Sequence, residues 1–128
     1  MKKLVIFLLA VMMLTACGQD EENDQEAVYV NITAEEAKEL MDTMEGYIIL
    51  DVRTEEEYDQ GHIPGATQIS HEEIAEKAEE VLTDKDQLIL VYCRSGRRSK
   101  LAAEALVELG YTNIKEFGGI NDWPYEIE

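Results

Sequence analysis

The sequence predicts one α/β domain over residues 28–128, with a mostly parallel central sheet and helices on both faces. Three observations carry that expectation. Tyr47-Ile48-Ile49-Leu50-Asp51-Val52 and Gln87-Leu88-Ile89-Leu90-Val91-Tyr92 are almost continuously apolar, the pattern of strands covered on both sides in a parallel sheet. Stretches with helical spacing of apolar residues stand between the strand-like runs. The two kinds of element alternate, and no repeat or low-complexity stretch interrupts them after Val28.

In chain order, Tyr29 to Ile32 is expected as a short first strand. Thr33 and Glu36 form a capping box, in which hydroxyl and carboxylate satisfy the free amides at a helix start. The helix carries Ala37, Leu40, Met41 and Met44 on one face and stops at Gly46. The first buried run follows, with Asp51 at its C-terminal end. Glu55 to Gln60 reads as a short helical turn, Gly61-His62-Ile63-Pro64-Gly65 as a tight loop and Ala66 to Ile69 as a brief strand. Ser70 with Glu73 predicts a second capping box, opening a helix with Ile74, Ala78, Val81 and Leu82 on one face. After the second buried run, Ser99 to Leu109 is expected as a helix with Leu101, Ala102, Ala105, Leu106 and Leu109 inward, ended by Gly110. Ile114 to Phe117 supplies the last strand. Gly118-Gly119 then turns the chain into a terminal segment around Trp123, a core or lid residue.

The residues before this domain have a different character. Lys2 and Lys3 precede an unbroken apolar run from Leu4 to Met13, the layout of a secretory signal. That run is too short to span a bilayer, which takes about 20 residues. Leu14-Thr15-Ala16-Cys17 looks like a bacterial lipobox, so residues 1–16 are expected to be a lipoprotein signal peptide and Cys17 the lipidated first residue of the mature chain. The alternative is an ordinary secretory cleavage site beside an incidental cysteine. Residues 17–27 then form an acidic tether with no apolar face to bury. The protein is therefore expected at the cell membrane, lipid-anchored and facing outside the cytoplasm.

Loss of Lys2 and Lys3 with the signal leaves nine basic residues against 28 acids, a net charge of −19. Such a balance excludes nucleic acid and polybasic adsorption to anionic lipid, both of which need clustered Lys and Arg. The exception is local. Cys93-Arg94-Ser95-Gly96-Arg97-Arg98-Ser99-Lys100 gathers four of those nine basic residues beside the only unlipidated cysteine. It stands between a buried strand and a helix, where unsatisfied amides and the helix dipole make an anion site and Gly96 permits the necessary turn. A thiol there is expected to favour its reactive thiolate, and a persulfide on the same sulfur would place its terminal atom where the amides converge. The alternatives are a buried inert thiol and, for Arg94 and Lys100, a solvated face.

Together with Asp51-Val52-Arg53, Glu57-Tyr58, Gly61-His62-Ile63-Pro64-Gly65-Ala66 and Gly118-Gly119 with Trp123, this loop resembles the single-domain rhodanese family from about Tyr29 to Trp123. The resemblance implies a rhodanese-like three-layer sandwich and a sulfurtransferase that needs no cofactor. Cys93 would take sulfur from a donor such as thiosulfate, hold it as a persulfide and pass it to cyanide or a thiol. Arg94, Ser95, Gly96, Arg97 and Arg98 would supply the amide cradle, and Arg97 or Arg98 would hold the sulfite end of the donor. Arg98-Ser99 matches the pair that often closes the family's loop. Asp51 and Arg53 match a mainly architectural pair that ties neighbouring loops. His62 is expected to brace a turn and His71 to be exposed; two scattered histidines and one thiol make no metal site.

Three other readings are weaker. A phosphatase of the related cell-cycle type has five residues between cysteine and catalytic arginine, whereas here that place holds Ser99. A disulfide oxidoreductase would need a second thiol, and Cys17 is expected to be acylated. A low-turnover binding or sensing module would use the same fold, yet a mere adaptor has no need of Cys93 and its arginines; a sulfur relay fed by a partner enzyme would use the same residues as a free-standing transferase. In an oxidising compartment a resting persulfide would protect the sulfur, so Cys93 is expected to purify partly modified.

Overall fold

The two apolar runs become the sheet's inner strands, β2 (Ile48–Asp51) and β4 (Ile89–Cys93), paired in parallel with Ile48 beside Ile89 and Asp51 beside Tyr92. The computed structural model describes residues 28–128; the expected signal peptide, Cys17 and the tether lie outside the described residues. The short strands β1 (Val30–Asn31) and β3 (Thr67–Gln68) and the longer β5 (Ile114–Gly119) complete one sheet in the order β1-β5-β4-β2-β3, every pairing parallel. Parallel neighbours require crossovers. These are α1 (Ala34–Thr43), α2 (Glu55–Gln60), α3 (Ile74–Val81) and α4 (Arg97–Glu108).

Alternation along the strands sends side chains to two apolar layers. On one face Leu50, Val91 and Ile114 pack with Ile74 and Ala78 of α3 and Ala102 and Leu106 of α4. On the other, Ile49, Leu90 and Tyr92 pack with Ala37 of α1, Ile63, Phe117 and the half-buried Trp123. The result is the expected α/β architecture, helices covering both faces of a parallel sheet. Among the described residues no helix is long and apolar enough to cross a membrane.

Several local expectations are corrected. α4 starts at Arg97, two residues before Ser99, because Gly96 caps it at φ +110° and turns the chain directly from strand into helix. Its inward stripe is Ser99, Ala102, Ala103 and Leu106; Leu101, about 200° around the helix from Ser99, is exposed, and Ala105 and Leu109 lie half-buried at the margin. Met44 is exposed because α1 ends at Thr43 and Met44 continues in an extended conformation. Val81 is exposed at the end of α3, and Leu82, in the cap position, turns inward instead. Ser70 forms no capping box: residues His71–Glu73 make a 3₁₀ turn, and the Ser70 hydroxyl donates to the Arg53 carbonyl. His71 is half-buried, not exposed. The Thr33–Glu36 box is present, and a further one, Thr54–Glu57, opens α2.

Candidate active site

Cys93 ends β4 in the middle of the sheet, and only Arg94, Ser95 and Gly96 separate it from α4. β4 and β5 fall out of simple register here: Val91 pairs with Glu116 but Cys93 with Gly119, a bulge that places an extra residue of β5 under the loop. The loop lies directly on Gly119. A Cβ at that position would sit 2.0 Å from the Arg94 carbonyl oxygen, so only glycine fits.

The thiol faces inward and is 1% exposed. The Gly96 amide donates to its Sγ at 3.0 Å, and the Ser99 Oγ lies 3.5 Å away. Burial pushes the thiol up, but the hydrogen bonds gathered on the sulfur, the amides of Gly96, Ser95 and Ser99 among them, outweigh it and hold Cys93 below an ordinary thiol. Negative charge on sulfur is thus what the loop is built to receive. Ser99 is itself buried and bonds to the Glu116 Oε2 at 2.5 Å, with the Gly96 carbonyl at 3.1 Å and the Gly118 carbonyl at 3.3 Å.

The arginines divide. Arg98, in the first turn of α4, meets Glu57 of α2 as a two-pronged pair at 2.8 and 3.1 Å. The guanidinium holds the Glu57 carboxyl down at about 2. Arg94 is exposed, with its Nε 3.9 Å from Glu57, and Arg97 is also exposed. Two arginines in the first turn of a helix oppose its dipole, a local conflict that makes sense where an anion is to be held.

Asp51 and Arg53 stand beside the loop and do not touch sulfur. The wholly buried Asp51 accepts from the Arg53 amide, Nε and Nη2, and from the Tyr92 hydroxyl at 2.6 Å. Burial opposes the Arg53 charge and Asp51 outweighs it, holding the guanidinium above its ordinary value. Burial and the Asp51 bond likewise push the Tyr92 phenol well up. Arg53 reaches the Gly61 carbonyl at 2.7 Å, so the pair fastens the glycine-rich loop to the sheet. His62 stacks on Tyr58 and its Nδ1 lies 2.9 Å from the Tyr58 carbonyl.

A cleft of about 380 Å³ opens beside these groups, with Arg53, Glu57, Arg94 and Asn121 in its walls. A larger groove of about 430 Å³, built around Met41, Tyr47, Ile63 and Trp123, includes none of the loop residues. The smaller cleft, with Arg53 and Arg94 in its walls, is the one that adjoins the cysteine loop. Among the described residues no three His, Cys, Asp or Glu side chains group as metal ligands would.

Glu57 stands in the sequence among the family motifs without a role at the site, and Glu116 is missed altogether. Glu57 is signalled by its capping-box spacing from Thr54, a pattern open to reading. Glu116 carries no such signal: an acid within a short strand becomes recognisable only when register places it under the loop.

Comparison with known proteins agrees with this geometry. The model of the family described as "Rhodanese-like domain" matches residues 33–125. The thiosulfate sulfurtransferase PspE of Escherichia coli (strain K12) is 41% identical over 73 residues, covering 57% of this chain and 70% of that protein. The thiosulfate sulfurtransferase GlpE of Coxiella burnetii (strain RSA 331 / Henzerling II) is 34% identical over 97 residues, 75% of this chain and 88% of that one. A solved structure of a rhodanese with anions from E. coli is 36% identical, with a TM-score of 0.60 over 64% of this chain and 96% of that one.

Proposed function

The chain belongs to the rhodanese-like family, and on that premise we propose that it moves sulfane sulfur from an anionic donor such as thiosulfate to a thiol or cyanide through a persulfide on Cys93. The observation that supports this most directly is the convergence of the Gly96 amide and its neighbours on a buried sulfur. In the first half-reaction the Cys93 thiolate attacks the outer sulfur of thiosulfate. The S–S bond breaks and sulfite leaves with its electron pair, so the charge passes to the outer sulfur of the new persulfide. In the second, cyanide or a thiolate attacks that outer sulfur and the Cys93 thiolate departs. Atoms and electrons balance without a cofactor.

The division of the arginines refines their expected roles. Arg98 is committed to Glu57, which leaves the exposed Arg97 and Arg94 as the groups free to meet the sulfonate end. Four residues stand between Cys93 and Arg98, one fewer than in the phosphatase loop, which supports a site for a sulfur atom rather than a phosphoryl group.

Intact mass of the purified full chain, before and after thiosulfate, is the direct test, with Cys93→Ser alongside and thiocyanate followed on adding cyanide. A gain of one sulfur that Cys93→Ser abolishes, with turnover, is expected. A folded protein that gains no sulfur and makes no thiocyanate refutes the assignment.

The location rests on Leu14-Thr15-Ala16-Cys17. Lipid on Cys17 would hold the domain at the membrane, outside the cytoplasm, behind the acidic residues 18–26. Cys17→Ser is expected to lose both the lipid mass and sedimentation with membranes; unchanged sedimentation would count against the anchor.

A further inference from the structure

Glu116 is the charged group at this site that the transfer steps leave unused. It is 0% exposed and forms no salt bridge among the described residues. The other charged groups near Cys93 that are buried or half-buried come in pairs: Asp51 with Arg53 at the end of β2, and Glu57 of α2 with Arg98 of α4. Glu116 is satisfied by hydrogen bonds alone. Its Oε1 accepts from Asn31 Nδ2 at 2.6 Å, and its Oε2 from the Gly118 amide at 3.0 Å and from the Ser99 hydroxyl at 2.5 Å.

A hydroxyl has one proton to give. Ser99 is within reach of four acceptors: the neutral Gly96 and Gly118 carbonyls at 3.1 and 3.3 Å, and two groups that can carry charge and compete hardest for the proton, the Glu116 carboxylate at 2.5 Å and Cys93 Sγ at 3.5 Å. The shorter bond to a carboxylate wins, and Ser99 then turns a lone pair toward the sulfur. That lone pair suits an S–H and opposes a charge on Sγ. A persulfide carries its charge one atom further out, toward the loop amides, so it escapes the opposition.

We propose that Glu116 is a positioning residue that holds the Ser99 proton away from Cys93 and thereby favours the sulfur-loaded cysteine over the free thiolate. The proposal rests on the sulfurtransferase reading and assigns one of its residues a bias between the two resting forms. It limits how far the loop amides lower the thiol, since the Ser99 proton is held by Glu116.

The test uses the full chain in three forms: parent, Glu116→Gln and Ser99→Ala. Two quantities are read: the pH midpoint of Cys93 alkylation in the sulfur-free protein, and the ratio of loaded to free Cys93 by intact mass in thiosulfate–sulfite mixtures well above that midpoint. Glu116→Gln is expected to lower the midpoint by about one pH unit and the loaded-to-free ratio by about tenfold, since both report the same thiolate energy. Ser99→Ala keeps Glu116 and is expected to leave the midpoint unchanged or lower. A rise of about one unit in Ser99→Ala would show that Ser99 donates to sulfur and would overturn the proposal. So would a folded Glu116→Gln with unmoved midpoint, or with a lowered midpoint and unaltered loading. Should Glu116→Gln fail to fold, Ser99→Ala decides alone. A parent that never loads sulfur refutes the transferase assignment instead, a result separate from any difference between variants.

Discussion

Replacing Gly119 by alanine tests the seat of the cysteine loop. The added Cβ would lie 2.0 Å from the Arg94 oxygen, 2.3 Å from its carbonyl carbon and 2.6 Å from the Ser95 nitrogen. Ordinary carbon contacts begin at about 3.5 Å, so the loop must retreat by more than about 1 Å, and every atom it meets is backbone with no rotamer to yield. The Arg94 carbonyl would lose its bond from the Asn121 amide, now 3.1 Å, and the Gly96 amide its 3.0 Å approach to Sγ. Overpacking of this kind costs about 1–3 kcal/mol, or roughly 4–8 °C in Tm for each kcal/mol in a domain of this size. Misplacing a reacting group by about 1 Å costs about 10²-fold in rate. Thiocyanate formation from thiosulfate and cyanide gives kcat/KM, and a circular-dichroism melt gives Tm. Gly46→Ala is the control: at φ +77° it is strained by about 1–2 kcal/mol, but nothing lies within 4 Å of its Cβ. Gly119→Ala should therefore lose about a hundredfold in rate, and Gly46→Ala should lose stability alone. A Gly119→Ala enzyme within about threefold of the parent, or equal losses in both variants, would refute the reasoning.

Other outcomes follow from the same contacts. Glu57 titrates at about 2 when folded against 4.5 ordinarily, so its pair with Arg98 contributes stability that is fully present above about pH 4.5 and lost as pH falls toward 2. Both side chains are partly exposed, so about 1 kcal/mol is expected; urea midpoints should fall more steeply with acid in the parent than in Glu57→Gln, and parallel curves would contradict the assignment. Tyr92→Phe removes the hydroxyl that joins Asp51 Oδ2 at 2.6 Å to the Ile63 amide at 3.1 Å. It leaves the buried Ile63 amide unmatched and takes one donor from Asp51, which keeps Arg53, for a loss of about 1–3 kcal/mol on chemical denaturation; a loss below about 0.5 kcal/mol would mean that the bridge carries little. Cys93 is held below an ordinary thiol, so its alkylation rate should rise with a midpoint under about pH 8.5, and a higher midpoint would show that burial prevails over the amides.

The layers of this fold were legible because they depend on patterns local in the chain. Ile48 to Leu50 and Ile89 to Val91 read as buried strands whatever their neighbours, and Thr33 with Glu36 makes the same box in sequence as in space. Helix ends were harder, since they depend on what the cap does. Gly96 could as easily have lengthened the loop as capped α4, and that difference of two residues rotates Leu101 from the core to solvent. Ser70 has the right spacing for a capping box, but the Arg53 carbonyl, brought up by the Asp51 pair, offers its hydroxyl another partner. The site divides in the same way. Cys93 and its arginines are contiguous and visible, whereas the roles of Glu57, Glu116 and Gly119 arise from contacts with residues 17 or more positions away in the chain. Nothing local in Ile114-Lys115-Glu116-Phe117 marks the acid as part of an active site.

The bond from the Asn121 amide to the Arg94 carbonyl joins the cysteine loop to the turn Ile120–Asp122, and the next residue is the chain's single tryptophan. The Trp123 indole packs on Phe117 with ring centres 5.6 Å apart and donates to the Glu126 carbonyl at 3.2 Å. One indole, mechanically linked to the reacting loop, makes the protein its own optical probe. On the proposed cycle, sulfur arriving on Cys93 would press on the loop from inside, and any displacement would pass through one hydrogen bond to the ring's surroundings. Stopped-flow emission on mixing with thiosulfate, and again with cyanide, is thus expected to time the two halves of the cycle separately and without a label.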